Sequence, residues 1–248
     1  MLERGDQVVG IDNLNDAYDV RLKQWRLRQI GERPDWEFHH IDICDRAALE
    51  RAVPDGVAGI INLAARAGVR YSVENPWVYV ETNMTGCLNL LELARQRGIG
   101  KFVQASTSSL YGQDTPQPFT ETAVTDRPLS PYAASKKGAE AMCYTYHYLY
   151  GVDVSVLRFF TVYGPAGRPD MALFRFVQWI SEGRPVTVFG DGSARRDFTY
   201  VEDIARGVLA ALRPLGYETI NLGSDQPVQV IEAIRLVEEL VGRPAVLD

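Results

Sequence analysis

The chain has 248 residues, of which 46% are hydrophobic and 23% charged, a balance typical of a globular protein and not of a disordered one. Its 26 Lys and Arg against 32 Asp and Glu give a formal net charge of −6, which argues against nucleic acid as the partner. The apolar stretches fall short of the ~18 residues that a membrane span needs, so we expect no membrane association. Three widely spaced cysteines and no His/Cys cluster predict free thiols in a reducing cytoplasm and no metal site.

Short apolar runs alternate with helical patterns along the first two thirds of the chain. The patterns predict strands at 7–11, 36–41, 59–63, 101–105 and 152–157 and helices at 80–94 and 130–150. Ser130 is the predicted N-cap of the second helix, and Gly151 its predicted end. Strands that alternate with helices form a parallel sheet covered on both faces. The sequence therefore predicts an α/β fold with a Rossmann-like, doubly wound parallel sheet.

The pattern loosens beyond residue 165. There it predicts helices at 172–181, 201–212 and 228–241 and strands at 186–189 and 219–222. We expect an incomplete Rossmann-like domain over 1–165 and a small α/β substrate-binding part over 166–248, partly interleaved with the first.

An acidic residue follows the first predicted strand. Asp12 stands where a dinucleotide fold places the carboxylate that binds the adenosine ribose, about 20 residues after a Gly-rich turn. No G-x-G-x-x-G run occurs in the chain, and residues 1–5 are typical of a helix end. We therefore expect the first strand and phosphate-binding loop to be missing ahead of residue 1, and the isolated chain to bind a dinucleotide weakly or not at all. Taken alone, Asp12 is more typical of an ordinary turn.

Two motifs point to proton chemistry. Tyr132 and Lys136 are four residues apart on a predicted helix, so their side chains share one face. A phenol with a pKa of about 10 is a poor base at neutral pH, but a neighbouring ammonium favours the phenolate. Hydroxyl residues 106–109 follow the strand at 101–105, the end of a parallel strand where substrate binds. Alone, the motifs are typical of a solvated pair and a Ser/Thr-rich loop; together they predict a catalytic site.

These motifs, with the run from Arg158 to Pro165, resemble the extended short-chain dehydrogenase/reductases of the nucleotide-sugar epimerase/dehydratase family. The similarity covers nearly the whole chain. It implies NAD as the cofactor, a homodimer with a four-helix interface, and Thr107, Tyr132 and Lys136 as catalytic residues. It implies cofactor contacts for Asp12, Asn13, Asp42, Ile43, Leu63, Ala64, Ala65, Tyr132 and Lys136.

Within that family the chain resembles the UDP-glucuronate 4-epimerases. Ser108 and Ser109 follow Thr107 where the dehydratases carry an Asp-Glu pair and the decarboxylases a Glu. The run 167–172 is also similar to theirs, and Arg168 is expected to bind the sugar carboxylate with its forked guanidinium. The resemblance implies substrate contacts for Ser108, Thr161, Arg168 and, toward the diphosphate, Arg196.

The implied reaction is an inversion at C4 of the sugar. Tyr132 removes the C4 hydroxyl proton as hydride passes to NAD, and the 4-keto sugar turns over before hydride returns to its other face. Because that ketone is a β-keto acid, we hypothesise that Arg168, with Thr161 and the Ser108 region, holds the carboxylate where its C–C bond overlaps poorly with the ketone. Asp12 favours NAD over NADP because it would repel a 2′-phosphate. The alternatives are another UDP-sugar epimerase or decarboxylase of the same fold, or a truncated, inactive chain that serves in binding or assembly.

Overall fold

The computed structural model describes residues 1–188 and 190–248. The strands are β1 (Val8–Asp12), β2 (Trp36–His40), β3 (Gly59–Asn62), β4 (Lys101–Thr107), β5 (Asp153–Phe159), β6 (Thr161–Tyr163), β7 (Arg195–Tyr200), β8 (Tyr217–Leu222) and β9 (Pro227–Gln229). The α-helices are α1 (Val20–Ile30), α2 (Arg46–Ala52), α3 (Val69–Glu74), α4 (Trp77–Val80), α5 (Cys87–Arg97), α6 (Pro131–Tyr150), α7 (Ala172–Glu182), α8 (Val201–Ala210) and α9 (Val230–Val241). Short 3₁₀ turns lie at Leu2–Arg4 and Ser108–Leu110, and a π-helical turn at Glu81–Gly86.

The chain divides into two compact units. Unit 1 comprises residues 1–14, 30–159 and 206–222, and unit 2 comprises residues 15–29, 160–205 and 223–248. Unit 1 thus includes β8 from beyond residue 165, and unit 2 includes most of α1 from before it.

The strands of unit 1 form two parallel sheets, with the orders β1-β2 and β3-β4-β5-β8. This confirms the predicted α/β class. All seven residues of β4 are buried, polar ones included. Gln104 accepts a hydrogen bond from Asn62 of β3 at 2.9 Å, and Lys101 forms an ion pair with Asp153 of β5. Polar contacts between neighbouring strands therefore support the middle of the larger sheet.

The core of unit 1 lies between the sheets and two helices. Leu91 of α5 and Cys143 of α6 pack with Phe102 and Val154 from the sheet, all fully buried. Fully burying a large aliphatic or aromatic side chain contributes about 1.5–3 kcal/mol. These contacts fix both helices on the sheet, and with α6 they fix the residues on its surface.

Local signals set the ends of α6 as predicted. The Ser130 hydroxyl accepts the N–H of Ala133 at 3.1 Å, and Pro131 occupies the first helical position. Gly151 ends the helix with a φ of 70°, a left-handed conformation that a glycine adopts without strain.

Residues 80–94 are helical as predicted, but they do not form one regular α-helix with a single apolar face. The structure has α4, the π-helical turn Glu81–Gly86 and then α5. A π turn is wider than an α turn, so the residues before and after it no longer share one face at a 3.6-residue period. Val80 is accordingly exposed, whereas Cys87 and Leu91 are buried.

Unit 2 is built on a three-stranded sheet in which β7 pairs parallel to β6 and antiparallel to β9. Phe176 and Ile180 of α7 pack against Ile234 and Val237 of α9. The strand predicted at 186–189 is wrong for Val186, which forms only an isolated bridge to Leu247, and Phe189 lies outside the described residues.

Three further features concern the part of the chain that the structure describes. In it, no helix is both long and apolar enough to cross a membrane, and no group of three or more His, Cys, Asp or Glu side chains is arranged to hold a metal ion. All three cysteines are free thiols.

Candidate active site

The structure brings the two predicted catalytic motifs together in unit 1. Helix α6 packs against β4 and against the 3₁₀ turn Ser108–Leu110 that follows it. Tyr132 lies in the first turn of α6, and Lys136 lies one turn further on. The ring of Tyr132 stands edge-on to Tyr79, with the centroids 6.0 Å apart. The helix with the Tyr/Lys pair therefore lies directly on the hydroxyl-bearing end of β4.

Lys136 is a buried ammonium, with only 2% of its surface exposed. Desolvation lowers its pKa to about 8, while Cys87, Cys143 and Glu140 oppose that change. Its charged form therefore still predominates at pH 7. A charge in such an apolar setting acts strongly on its neighbours because little water screens it.

The hydroxyl run 106–109 has two different roles in the structure. Ser106 donates to Oε1 of Glu140 at 2.6 Å and is buried beneath α6. Thr107 ends β4, and its Oγ1 accepts the N–H of Ser109 at 3.1 Å. Ser108 is half-buried in the turn. Thr107 and Ser108, but not Ser106, thus lie at the carboxyl end of the strand.

A buried ion pair that the sequence reasoning missed anchors α6 to the sheet. Arg158 of β5 donates to both carboxylate oxygens of Glu140, at 3.1 and 2.9 Å. Arg158 also donates to the Tyr111 hydroxyl at 3.1 Å, and Tyr111 donates to Oδ1 of Asn221 on β8 at 2.6 Å. Glu140 lies four residues after Lys136, hence on the same helix face, and that spacing was the available signal.

Asn83 is a second residue that the sequence reasoning missed. Its Oδ1 accepts the N–H of Arg66 at 2.8 Å, and its Nδ2 donates to the Arg66 carbonyl at 3.0 Å and to the Ser135 hydroxyl at 2.9 Å. It lies in the π-helical turn and is buried. Asn83 thus connects the segment that follows β3, which begins at Leu63, to Ser135, the residue before Lys136. No spacing in the sequence marks it.

Seven of the predicted cofactor residues lie at or just after the carboxyl ends of parallel strands of unit 1. Asp12 ends β1 and is exposed, and its Oδ1 accepts the N–H of Leu14 at 2.7 Å. The turn role considered for Asp12 is therefore present. Asn13 donates to Asp42 Oδ2 at 2.6 Å. Burial raises the pKa of Asp42, but the Cys44 N–H and Asn13 outweigh it and hold the pKa below its usual value.

Ile43 is buried against the π-helical turn, and its position depends on a glycine. A Cβ on Gly86 would come within 2.4 Å of the Ile43 side chain. After β3, Leu63 is exposed, and Ala64 and Ala65 are half-buried. A carboxylate, an amide and small or apolar side chains at such an edge fit an adenosine ribose and base.

The predicted substrate residues Thr161, Arg168 and Arg196 lie in unit 2. Arg168 forms a two-pronged ion pair with Asp170, in which Nε donates to Oδ1 at 3.0 Å and Nη2 to Oδ2. Burial raises the pKa of Asp170, but the Arg168 guanidinium outweighs it and lowers that pKa below its usual value. Thr161 begins β6 and is half-buried. Arg196 is exposed on β7, and its Nη1 donates to the Arg195 carbonyl at 2.8 Å.

Comparison with known proteins decides the family. The sequence model of the NAD-dependent epimerase/dehydratase family matches residues 1–223. The chain belongs to this family. A UDP-glucuronate 4-epimerase from Thermodesulfobacterium geofontis is 56% identical over 247 residues, which cover 99% of the chain and 76% of that relative.

Solved structures of family members share the fold. The crystal structure of UDP-glucuronic acid 4-epimerase from Bacillus cereus, in complex with UDP-glucuronic acid and NAD, matches with a TM-score of 0.91 and 32% identity, over 100% of this chain and 79% of the other. A dTDP-glucose 4,6-dehydratase from Streptomyces venezuelae matches with a TM-score of 0.87 and 30% identity, over 98% and 76%. The predictions of family and fold are confirmed, and the second match shows that the fold also serves another reaction.

Proposed function

We propose that this chain is an NAD-dependent UDP-glucuronate 4-epimerase, which interconverts UDP-glucuronate and UDP-galacturonate through a 4-keto intermediate. The observation that carries the proposal is the packing of α6, with Tyr132 and Lys136, on the hydroxyl-bearing end of β4. The 56% identity to the T. geofontis epimerase supports it, as does the likeness to a solved epimerase that holds both UDP-glucuronic acid and NAD.

Tyr132 is the proposed acid/base. The Lys136 ammonium favours the phenolate, which takes the proton of the C4 hydroxyl and later returns it. The Thr107 hydroxyl hydrogen-bonds to the reacting oxygen and stabilises the charge that develops there. When bound, NAD supplies the acceptor and then the donor of the C4 hydride. The sugar turns over between the two transfers, so the configuration at C4 inverts with no net redox change.

The cofactor is held, in this proposal, by the strand ends of unit 1. Asp12 accepts hydrogen bonds from the adenosine ribose, and its charge disfavours a 2′-phosphate. Asn13 helps to orient Asp42, which together with Ile43 flanks the adenine. The segment of Leu63, Ala64 and Ala65 provides backbone and apolar contacts. Tyr132 and Lys136 complete the set on the nicotinamide side.

The substrate carboxylate is assigned to Arg168, with Thr161 and Ser108. A guanidinium carries five N–H donors, so Arg168 has enough donors for a sugar carboxylate in addition to Asp170. This contact holds the carboxylate away from the geometry in which a β-keto acid loses carbon dioxide. Arg196 binds the diphosphate, for which its planar guanidinium is suited.

The residues after Thr107 favour epimerisation over the related reactions. Loss of water from a 4-keto sugar needs a side chain that removes a proton and another that delivers one to the leaving hydroxyl. Ser108 and Ser109 replace the acids that dehydratases and decarboxylases carry there. Because the S. venezuelae dehydratase has the same fold, these side chains and not the fold carry the distinction.

We further propose a cytoplasmic homodimer, in which α5 and α6 of each protomer form a four-helix interface. Leu88 of α5 is exposed, and α6 exposes Tyr144, Leu149 and 76% of Tyr148. Exposed apolar side chains concentrated on two neighbouring helices are typical of a protein–protein interface. The free thiols suit a reducing compartment. Light scattering of the wild type and of Tyr148→Glu tests the dimer, and a monomeric wild type would exclude it.

Product analysis tests the reaction. The chain is incubated with NAD and with UDP-glucuronate that carries deuterium at C4, and the products are separated by anion-exchange chromatography. NAD is supplied in large excess to offset the weak binding expected from the sequence, and we expect UDP-galacturonate that retains the deuterium, without accumulation of NADH. A UDP-pentose as the main product would instead indicate a decarboxylase, and turnover of UDP-glucose alone another epimerase. A chain that binds no NAD would favour the inactive alternative.

A further inference from the structure

A guanidinium from α1 binds the backbone of the loop that carries Arg168. Arg26 donates from Nε to the carbonyl of Ala166 at 3.1 Å, and from Nη2 to the same oxygen at 2.5 Å and to the Gly167 carbonyl at 3.3 Å. Arg26 and Ala166 are 140 residues apart in the sequence, and both belong to unit 2. The two carbonyls are those directly before Arg168.

Arg26 is itself fixed in place by an aromatic side chain. Its Nη1 lies 2.6 Å from the Tyr18 hydroxyl, and its guanidinium carbon lies 5.4 Å from the centre of the Tyr18 ring. Lys23 contacts the same ring, with Nζ 5.1 Å from the centroid, and donates to Asn15 at 3.3 Å. A cation held against a ring and by a hydrogen bond has little freedom, so Arg26 offers the loop a rigid set of donors.

The loop that Arg26 holds is strained. Ala166 has a φ of 54°, in the left-handed region that costs a residue with a Cβ about 1 kcal/mol. Such a conformation persists only where neighbouring contacts enforce it. Arg168 follows two residues after Ala166, and its carbonyl accepts the N–H of Met171 at 3.1 Å. The direction in which Arg168 leaves the loop therefore depends on the conformation of Ala166.

We propose that Arg26 is a positioning residue for recognition of the sugar carboxylate. It holds Ala166 and Gly167 so that Arg168 presents its guanidinium in one orientation, and it makes no contact with the substrate itself. An arginine is required because one forked group bonds two successive carbonyls, whereas a lysine ammonium is a single point charge on a flexible stem. The inference rests on the proposed function, which gives Arg168 its ligand.

Equilibrium binding separates this role from a general structural one. Isothermal titration with UDP-glucuronate and with UDP, which lacks the sugar, is carried out on the wild type, Arg26→Met, Arg26→Lys and the control Arg21→Met. Arg21 lies on the same helix, is largely exposed and pairs with Asp19. We expect Arg26→Met to weaken UDP-glucuronate binding about tenfold and to leave UDP binding unchanged. The affinity of Arg26→Lys for UDP-glucuronate should lie between those of Arg26→Met and the wild type. Arg21→Met should match the wild type.

Hydrogen–deuterium exchange adds a readout that needs no ligand. Amide exchange in residues 164–171 should be faster in Arg26→Met than in Arg21→Met. Equal losses of affinity for UDP-glucuronate and UDP, or unchanged exchange in the loop, would overturn the inference. If Arg26→Met does not fold, Arg26→Lys decides by the same criteria.

The two proposals fail in different ways. A wild type that binds UDP-glucuronate no more tightly than UDP has no carboxylate recognition for Arg26 to support, which overturns the inference. A wild type that does bind the carboxylate more tightly but shows no epimerisation overturns the proposed function. In that case the Arg26 variants still decide the positioning role through binding and exchange.

Discussion

Two arginine–carboxylate pairs with similar geometry lie in very different surroundings. Arg158 and Glu140 in unit 1 are only 4% and 5% exposed, whereas Arg168 and Asp170 in unit 2 are 33% and 44% exposed. A buried ion loses its hydration and depends on its partner, whereas a half-exposed ion is hydrated again when its partner is removed. We therefore expect the first pair to govern stability and the second to govern recognition of the substrate.

The largest effect is expected on activity alone, at Tyr132. Tyr132→Phe removes the proton acceptor, and loss of general acid/base catalysis should lower kcat about 10²–10⁴-fold. The free energy of unfolding should change little, because the ring and its edge-on contact with Tyr79 remain. Steady-state kinetics and chemical denaturation measure the two quantities. An active Tyr132→Phe variant would remove Tyr132 from the proposed chemistry.

The next effect is on stability, at the buried pair. Glu140→Ala leaves the Arg158 charge without its partner and should lower the free energy of unfolding by about 3–5 kcal/mol. Glu50→Ala is the control, since Glu50 pairs with Arg46 on the surface and should cost less than about 1 kcal/mol. Replacing both Glu140 and Arg158 by Met should recover most of the loss. If Glu140→Ala and Glu50→Ala lowered the free energy of unfolding equally, the contrast between buried and exposed ion pairs would be wrong.

Lys136 should support catalysis but lower the free energy of unfolding. Its pKa of about 8 in the folded chain lies below the ordinary 10.5, so the unfolded chain binds more protons between those pH values. The buried Lys136 charge therefore lowers the free energy of unfolding of the wild type most below pH 8, and this penalty disappears as the pH rises from 8 to 10.5. Lys136→Met should be more stable at pH 7, by about 3 kcal/mol, and inactive.

Urea denaturation of the NAD-free protein across pH 7 to 11 checks the Lys136 prediction. The stability difference between Lys136→Met and the wild type should narrow as the pH rises. If the free energies of unfolding of the two proteins changed in parallel with pH, burial of the Lys136 ammonium would not destabilise the folded chain.

The smallest of these effects is expected at Arg168. Arg168→Ala removes a charge-assisted contact, which should raise KM for UDP-glucuronate roughly 10- to 100-fold. The share of UDP-pentose in the product should rise. Stability should change by less than about 1 kcal/mol, because the pair with Asp170 is half-exposed. An unchanged product ratio would contradict the role given to this loop, and a loss of stability as large as that of Glu140→Ala would contradict the contrast between the pairs.

The sequence anticipated those elements whose signals are local. Ser130, Pro131 and Gly151 set the ends of α6 because the bonds that cap a helix form between near neighbours. The four-residue spacing of Tyr132 and Lys136 likewise placed both on one face of α6. The helix predicted at 80–94 exists, but its single apolar face is interrupted at a π turn, where Asn83 bonds Arg66 and Ser135, contacts that no local pattern records.

By itself, then, the sequence determined the α/β class, the family and the helix with the Tyr/Lys pair, because periodicity, caps and motif spacing act over a few residues. The tertiary structure decided which charges are buried and which residues support the site. Glu140 meets Arg158 18 residues away, and Arg26 meets Ala166 140 residues away. Such pairs form only when the chain has folded, and the energy of a charge depends on the burial that folding brings.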